Sequence, residues 1–219
     1  MERGHEGGVD QVSEIMGRLQ ELSERVSRVA VHVSGVLLIL SAAAVAVEVI
    51  GRKAFNYSFT AVDEVSGYIF GITTAWALSF ALFRRAHVRI DAVYVHLSQR
   101  SRCVMDVIAM TSLAVVFTLL AHQAYGVVHE SLRLGAESNT PLRMPLWIPQ
   151  ILWMGGLWFF IANIYLVLVR SLMGLVCGDY DLVRAIAGAP SLHEEVEKEI
   201  HHVEKVRQRE APAAGEEDV

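Results

Sequence analysis

Few side chains in this sequence stand where membrane chemistry would need them. Glu48 and Asp106 are the carboxylates nearest to its long apolar stretches, Asn163 is the main amide inside one, and His32 and His122 are imidazoles in two others. An autonomous carrier or pump keeps ionisable groups deep in its spans, since burying charge in hydrocarbon is tolerated only for function. Glu48 and Asp106 fall at the ends of their stretches, so no ion or proton path can be drawn through them. Asn163 suits a hydrogen bond to a neighbouring helix better than a substrate. Imidazoles from two spans can hold a haem iron from both sides. Here His32 lies near one membrane face and His122 near the other, with depths that differ by roughly 20 Å at 1.5 Å per residue. His87, His96 and His129 belong to loops. Neither a His-Glu-x-x-His spacing nor a phosphate-binding glycine loop occurs, and the sequence predicts no catalytic group, metal site or cofactor.

The elements that carry these residues are four apolar stretches: Val29 to Val47, Val65 to Phe83, Val107 to Val128 and Met144 to Val169, each free of Asp, Glu, Lys and Arg. A helix needs about 20 such residues to cross roughly 30 Å of hydrocarbon. The expected fold is therefore an all-α membrane protein with four transmembrane helices. Basic residues concentrate in short cytoplasmic segments. Arg3, Arg18, Arg25 and Arg28 precede the first stretch; Arg84, Arg85, Arg89, Arg100 and Arg102 separate the second from the third; Arg170 and Arg184 follow the fourth. Both termini are expected in the cytoplasm, with residues 51–64 and 129–143 outside.

Outside the spans, Val12, Ile15, Leu19, Leu22, Val26 and Val29 recur at three and four residues, which predicts an amphipathic helix in the leader, residues 1–28. The membrane domain is expected over 29–175. Ile90, Val93, Tyr94 and Leu97 suit a short helix on the cytoplasmic surface, its arginines among lipid phosphates; a β-like loop is the plainer alternative. The tail, residues 176–219, is polar. Ser191 and Glu194 resemble a capping box that opens a charged helix to about residue 209, and the last residues look disordered. The net charge of −5 arises largely in the tails and gives no sign of a nucleic-acid partner. Cys103 and Cys177 fall at cytoplasmic ends of spans and are read as free thiols.

Within the spans the recurrent device is the small-residue stripe, which lets helices approach closely. Gly67, Gly71, Ala75 and Ser79 stand four apart in the second span; Ala42 with Ala46, and Gly155 with Gly156, repeat the device. Such a stripe can serve the inside of the bundle or a face for another subunit. Trp147 suits an interfacial anchor. Pro145 fits a first helical turn, whereas Pro149 is expected to bend the helix or leave a carbonyl unpaired.

Several landmarks occur in order: Gly51-Arg52-Lys53-Ala54-Phe55, Asp63-Glu64, Arg84-Arg85-Ala86-His87-Val88-Arg89-Ile90-Asp91, Ser138-Asn139-Thr140 and Pro145-Leu146-Trp147-Ile148-Pro149. Together they resemble the small membrane subunit of tripartite ATP-independent periplasmic (TRAP) transporters, the DctQ-like family, over roughly residues 29–175. The resemblance implies a non-catalytic bacterial inner-membrane subunit that packs beside a large subunit carrying substrate and sodium. A periplasmic solute-binding protein would deliver an organic acid or related solute, and membrane lipids would surround the spans. On this reading Arg52, Asp63, Glu64, Gly67, Gly71, Ala75, His87, Asp91, Pro145 and Trp147 are structural or partner-interface candidates. Arg52 and Glu64 close one short loop and are expected to pair; Thr60 and Asp63 could cap the second span; His87 and Asp91 could pair across one turn. A small autonomous exporter or the membrane anchor of a redox complex is the alternative class.

Overall fold

The computed structural model of the chain describes residues 3–55, 61–84 and 98–178, together with residues 186, 200, 203 and 204. Four helices make up almost all of this: α1 (Arg3–Phe55), α2 (Ala61–Phe83), α3 (Gln99–Leu134) and α4 (Trp147–Cys177). Each contains a segment long and apolar enough to cross a membrane, as the four apolar stretches require. His87, Asp91 and Thr60, the surface helix at 90–97 and the tail helix at 191–209 lie outside the described residues.

Leader and first span form one rod. No proline interrupts residues 3–55, so backbone hydrogen bonding carries on through the change from polar to apolar sequence, and α1 runs about 80 Å at 1.5 Å per residue. The leader leans on α4 where Arg170 donates to Gln20, and Ser27 is fully buried. Its apolar stripe of Ile15, Leu19, Leu22, Val26 and Val29 faces outward and stays exposed.

Helix ends follow local rules. The Ser98 hydroxyl accepts from Ser101 N at 3.4 Å to open α3. The same helix closes on Gly135, whose φ of 58° is the left-handed conformation that spares a residue without Cβ, and Ala136 N then reaches Ser131 O at 2.9 Å. Between α3 and α4, Glu137 and Pro145 form an isolated antiparallel bridge. Pro145 therefore lies before the helix and not in its first turn. Pro149 is the third residue of α4, where an N–H has no intrahelical partner anyway, so the bend expected there is not required.

In space the order is α1, α2, α4, α3: α1 packs on α2, α2 on α4, and α4 on α3, with a lighter contact between α1 and α4. Phe160, Ile164 and Val167 of α4 form the centre of the core, meeting Leu82 of α2 and Val107, Met110 and Ala114 of α3. Phe117 stands edge-on to Phe160 at 4.6 Å between ring centres. A second cluster joins Ala121 and Ala124 of α3 to Leu157 and Ile161 of α4. The bundle has a hairpin end, at the α1–α2 and α3–α4 connections, and an arginine end, with Arg25, Arg84, Arg102 and Arg170.

Candidate interaction site on the second helix

The stripe on α2 divides into two halves. Toward the arginine end, Ala75 and Ser79 are buried at 3% and 0% exposure, and Ala75 lies against Gly156 of α4. A Cβ at Gly156 would stand 2.7 Å from Trp76 Cδ1, 2.9 Å from Trp76 N and 3.0 Å from Ala75 C, so only glycine admits this backbone approach. Trp76 closes the seam: its indole N–H donates to Leu152 O at 3.0 Å and its ring stacks on Phe159 at 5.8 Å. One turn further, Asn163 Nδ2 donates to Ser79 Oγ at 3.2 Å and to Phe159 O at 2.9 Å. The amide thus serves a helix–helix contact, as its isolation in an apolar span predicts.

Toward the hairpin end the helices part. A Cβ at Gly67 or Gly71 would meet nothing within 4 Å. These glycines border a groove of about 240 Å³ whose other walls include Tyr68, Leu146, Gln150 and Trp153. Gln150 Oε1 is buried there with no hydrogen-bond partner among the described residues.

A polar knot closes this end. Arg52 binds Glu48 Oε1 at 2.7 Å, one helical turn back, and approaches Asp63 Oδ2 at 3.7 Å. The expected Arg52–Glu64 pair is replaced by these two contacts. Glu64 instead accepts from the Tyr68 hydroxyl at 2.6 Å and from the Thr140 hydroxyl. Ser138 Oγ lies 2.9 Å from Thr140 Oγ1 and accepts from Met144 N at 3.2 Å, which pins the 136–146 loop over the start of α2. The physical reason is spacing: an i, i+4 carboxylate on its own helix meets Arg52 first, leaving Glu64 to the loop hydroxyls. Glu48 is 1% exposed, so the carboxylate at the end of the apolar stretch is shielded by protein.

Asp63 is exposed in the first turn of α2, where the helix dipole favours a negative charge. Trp147 opens α4 at 39% exposure and Pro145 is exposed beside it. Trp76 is the one tryptophan outside the fourth apolar stretch, and its isolation is the signal that could have singled it out. The Glu64–Thr140 contact and the Gln20–Arg170 contact join residues far apart in the chain, and no local pattern announces either.

Residues 41–174 match the family model described as tripartite ATP-independent periplasmic transporters, DctQ component. No curated protein and no solved structure matches the chain.

Proposed function

We propose a role that proceeds from one premise: the chain belongs to the DctQ-component family of tripartite ATP-independent periplasmic transporters. It is a small, multi-pass permease subunit and not an enzyme. Its work is to scaffold a large membrane subunit that moves the solute with sodium, while a periplasmic binding protein delivers that solute, an organic acid or a related compound.

The observation that carries the scaffold reading is how Asn163 and several buried hydroxyls are engaged. Asn163 binds Ser79, Ser34 donates to Thr73 O at 3.4 Å, Thr73 to Ile69 O at 2.7 Å, and Ser171 to Val167 O at 2.8 Å. These groups hold this chain's own helices and are engaged before any solute arrives. The half-open stripe of Gly67 and Gly71 is the face we assign to the large subunit, and the loop pinned by Glu64 the region nearest the receptor.

Orientation follows from charge. The arginine end is cytoplasmic, with both termini, and the hairpin end is periplasmic. Reporter fusions at Glu137 and Ser98 should give periplasmic and cytoplasmic signals respectively; the same signal from both would overturn the topology. In proteoliposomes the chain alone should give no sodium-driven uptake, and uptake should appear when the large subunit and the binding protein are added. Gradient-driven, substrate-specific uptake by the chain alone would refute the scaffold role.

A further inference from the structure

A second groove lies between α1 and α2 near the arginine end, with a volume of about 530 Å³. Val26, Val29, Val33 and Leu37 form one wall and Ile72 and Trp76 the other, with Arg25 at one end. We propose that it holds an acyl chain of an anionic phospholipid, with the lipid phosphate on Arg25.

Three observations lead there. The first is depth. The Ser34 hydroxyl donates to Thr73 O, which fixes the register of the two antiparallel helices and brings Arg25 level with the end of α2. Ile72 and Trp76 lie about 18 and 12 Å along the α2 axis from Arg84, and Leu37 about 18 Å along α1 from Arg25. One leaflet of hydrocarbon is about 15 Å thick, so the groove runs the depth of a leaflet with its cation at the surface.

The second is dryness. Ser34 and Thr73 are the lining hydroxyls, and both are buried and donate to backbone carbonyls, Ser34 to Thr73 O and Thr73 to Ile69 O. What remains to contact an occupant is aliphatic and aromatic, the chemistry of a lipid tail.

The third is charge. Arg18 pairs with Glu14, and Arg52 with Glu48 and Asp63; Arg25 is exposed at the mouth, with Glu21 one turn earlier on the same helix and Arg28 one turn later. A cation at the surface end of a leaflet-deep apolar groove complements a phosphate above a buried chain.

The test uses the full-length chain in phosphatidylcholine vesicles containing either brominated phosphatidylglycerol or brominated phosphatidylcholine. Bromine quenches nearby indoles, and the difference between the wild type and Trp76→Phe isolates the Trp76 signal. Brominated phosphatidylglycerol should quench Trp76 at about fivefold lower mole fraction than the zwitterionic lipid, the factor expected from one basic residue at an anionic contact. Arg25→Gln, at an exposed position that does not endanger folding, should erase that preference, while Arg28→Gln, outside the groove, should keep it. Ala30 also lines the groove, and Ala30→Phe should fill it and abolish quenching by both lipids. Equal quenching by the two lipids in the wild type would overturn the proposal, as would equal loss in Arg25→Gln and Arg28→Gln, the mark of a general basic surface. Loss of Trp76 quenching when the large subunit is added would assign the groove to a protein helix and also refute it.

Discussion

The two halves of α2 have the same kind of sequence and opposite surroundings. Ala75 and Ser79 are sealed against α4, whereas Gly67 and Gly71, on the same stripe, border an open groove. The difference comes from α4. Gly156 removes a side chain where Trp76 must pass, and Asn163 adds a hydrogen bond just beyond it. Near the hairpin end, Gln150 and Trp153 stand on the facing turns and line a space between the helices. A small-residue stripe therefore permits close packing but does not compel it; the partner surface decides which part is used.

The largest expected effect is at the sealed half. Gly156→Leu places a side chain against two backbone atoms of α2 that cannot rotate away. Overpacking usually costs about 1–3 kcal/mol and can cost more when backbone must shift, so thermal unfolding in detergent should show a large loss of stability. Near-wild-type melting would mean that α2 and α4 do not approach as closely as the Trp76 contact requires.

An intermediate effect is expected at the knot that bounds the open half. Arg52 is half exposed, but the Glu48 carboxylate it binds is buried. Arg52→Ala should cost about 1–3 kcal/mol by removing a charged partner from that carboxylate. A double-mutant cycle should show coupling of Arg52 with Glu48 and little with Glu64. The reverse order of coupling would restore the Arg52–Glu64 pair that chain proximity suggests.

The smallest effect on the isolated chain is expected at the open half. Gly71→Ala adds a methyl group where nothing lies within 4 Å and should be neutral, or stabilising by up to about 1 kcal/mol through helix propensity. Gly71→Leu should leave the melting of the isolated chain nearly unchanged while reducing co-purification of the large subunit. Destabilisation of the isolated chain by Gly71→Leu would show that this half is also internal, and the contrast between the halves would disappear.

Much of the architecture is legible in residues alone, because each span must satisfy its backbone internally and present about 20 apolar side chains to hydrocarbon. The landmarks around Arg52, Asp63-Glu64 and Ser138–Pro149 were likewise visible as a linear pattern. Their pairing was not. Arg52 has Glu48 four residues before it and Glu64 twelve after it, and the nearer carboxylate on the same helical face wins. Pro149 looks disruptive in a linear reading because its effect depends on where the helix begins, and the 136–146 loop sets that start at Trp147.

By itself, then, the sequence determined the four helices long and apolar enough to cross a membrane, the charge asymmetry between the two ends and the family, since these depend on composition and order along one chain. Only the tertiary structure decided that the leader is held by Arg170, that Trp76 and Gly156 form the seam, that Glu64 answers to Thr140, and that the two halves of one stripe differ. Those outcomes rest on contacts between residues distant in the chain. Periodicity tells which face of a helix is small or apolar, and only the shape of the neighbouring helix tells whether that face is filled.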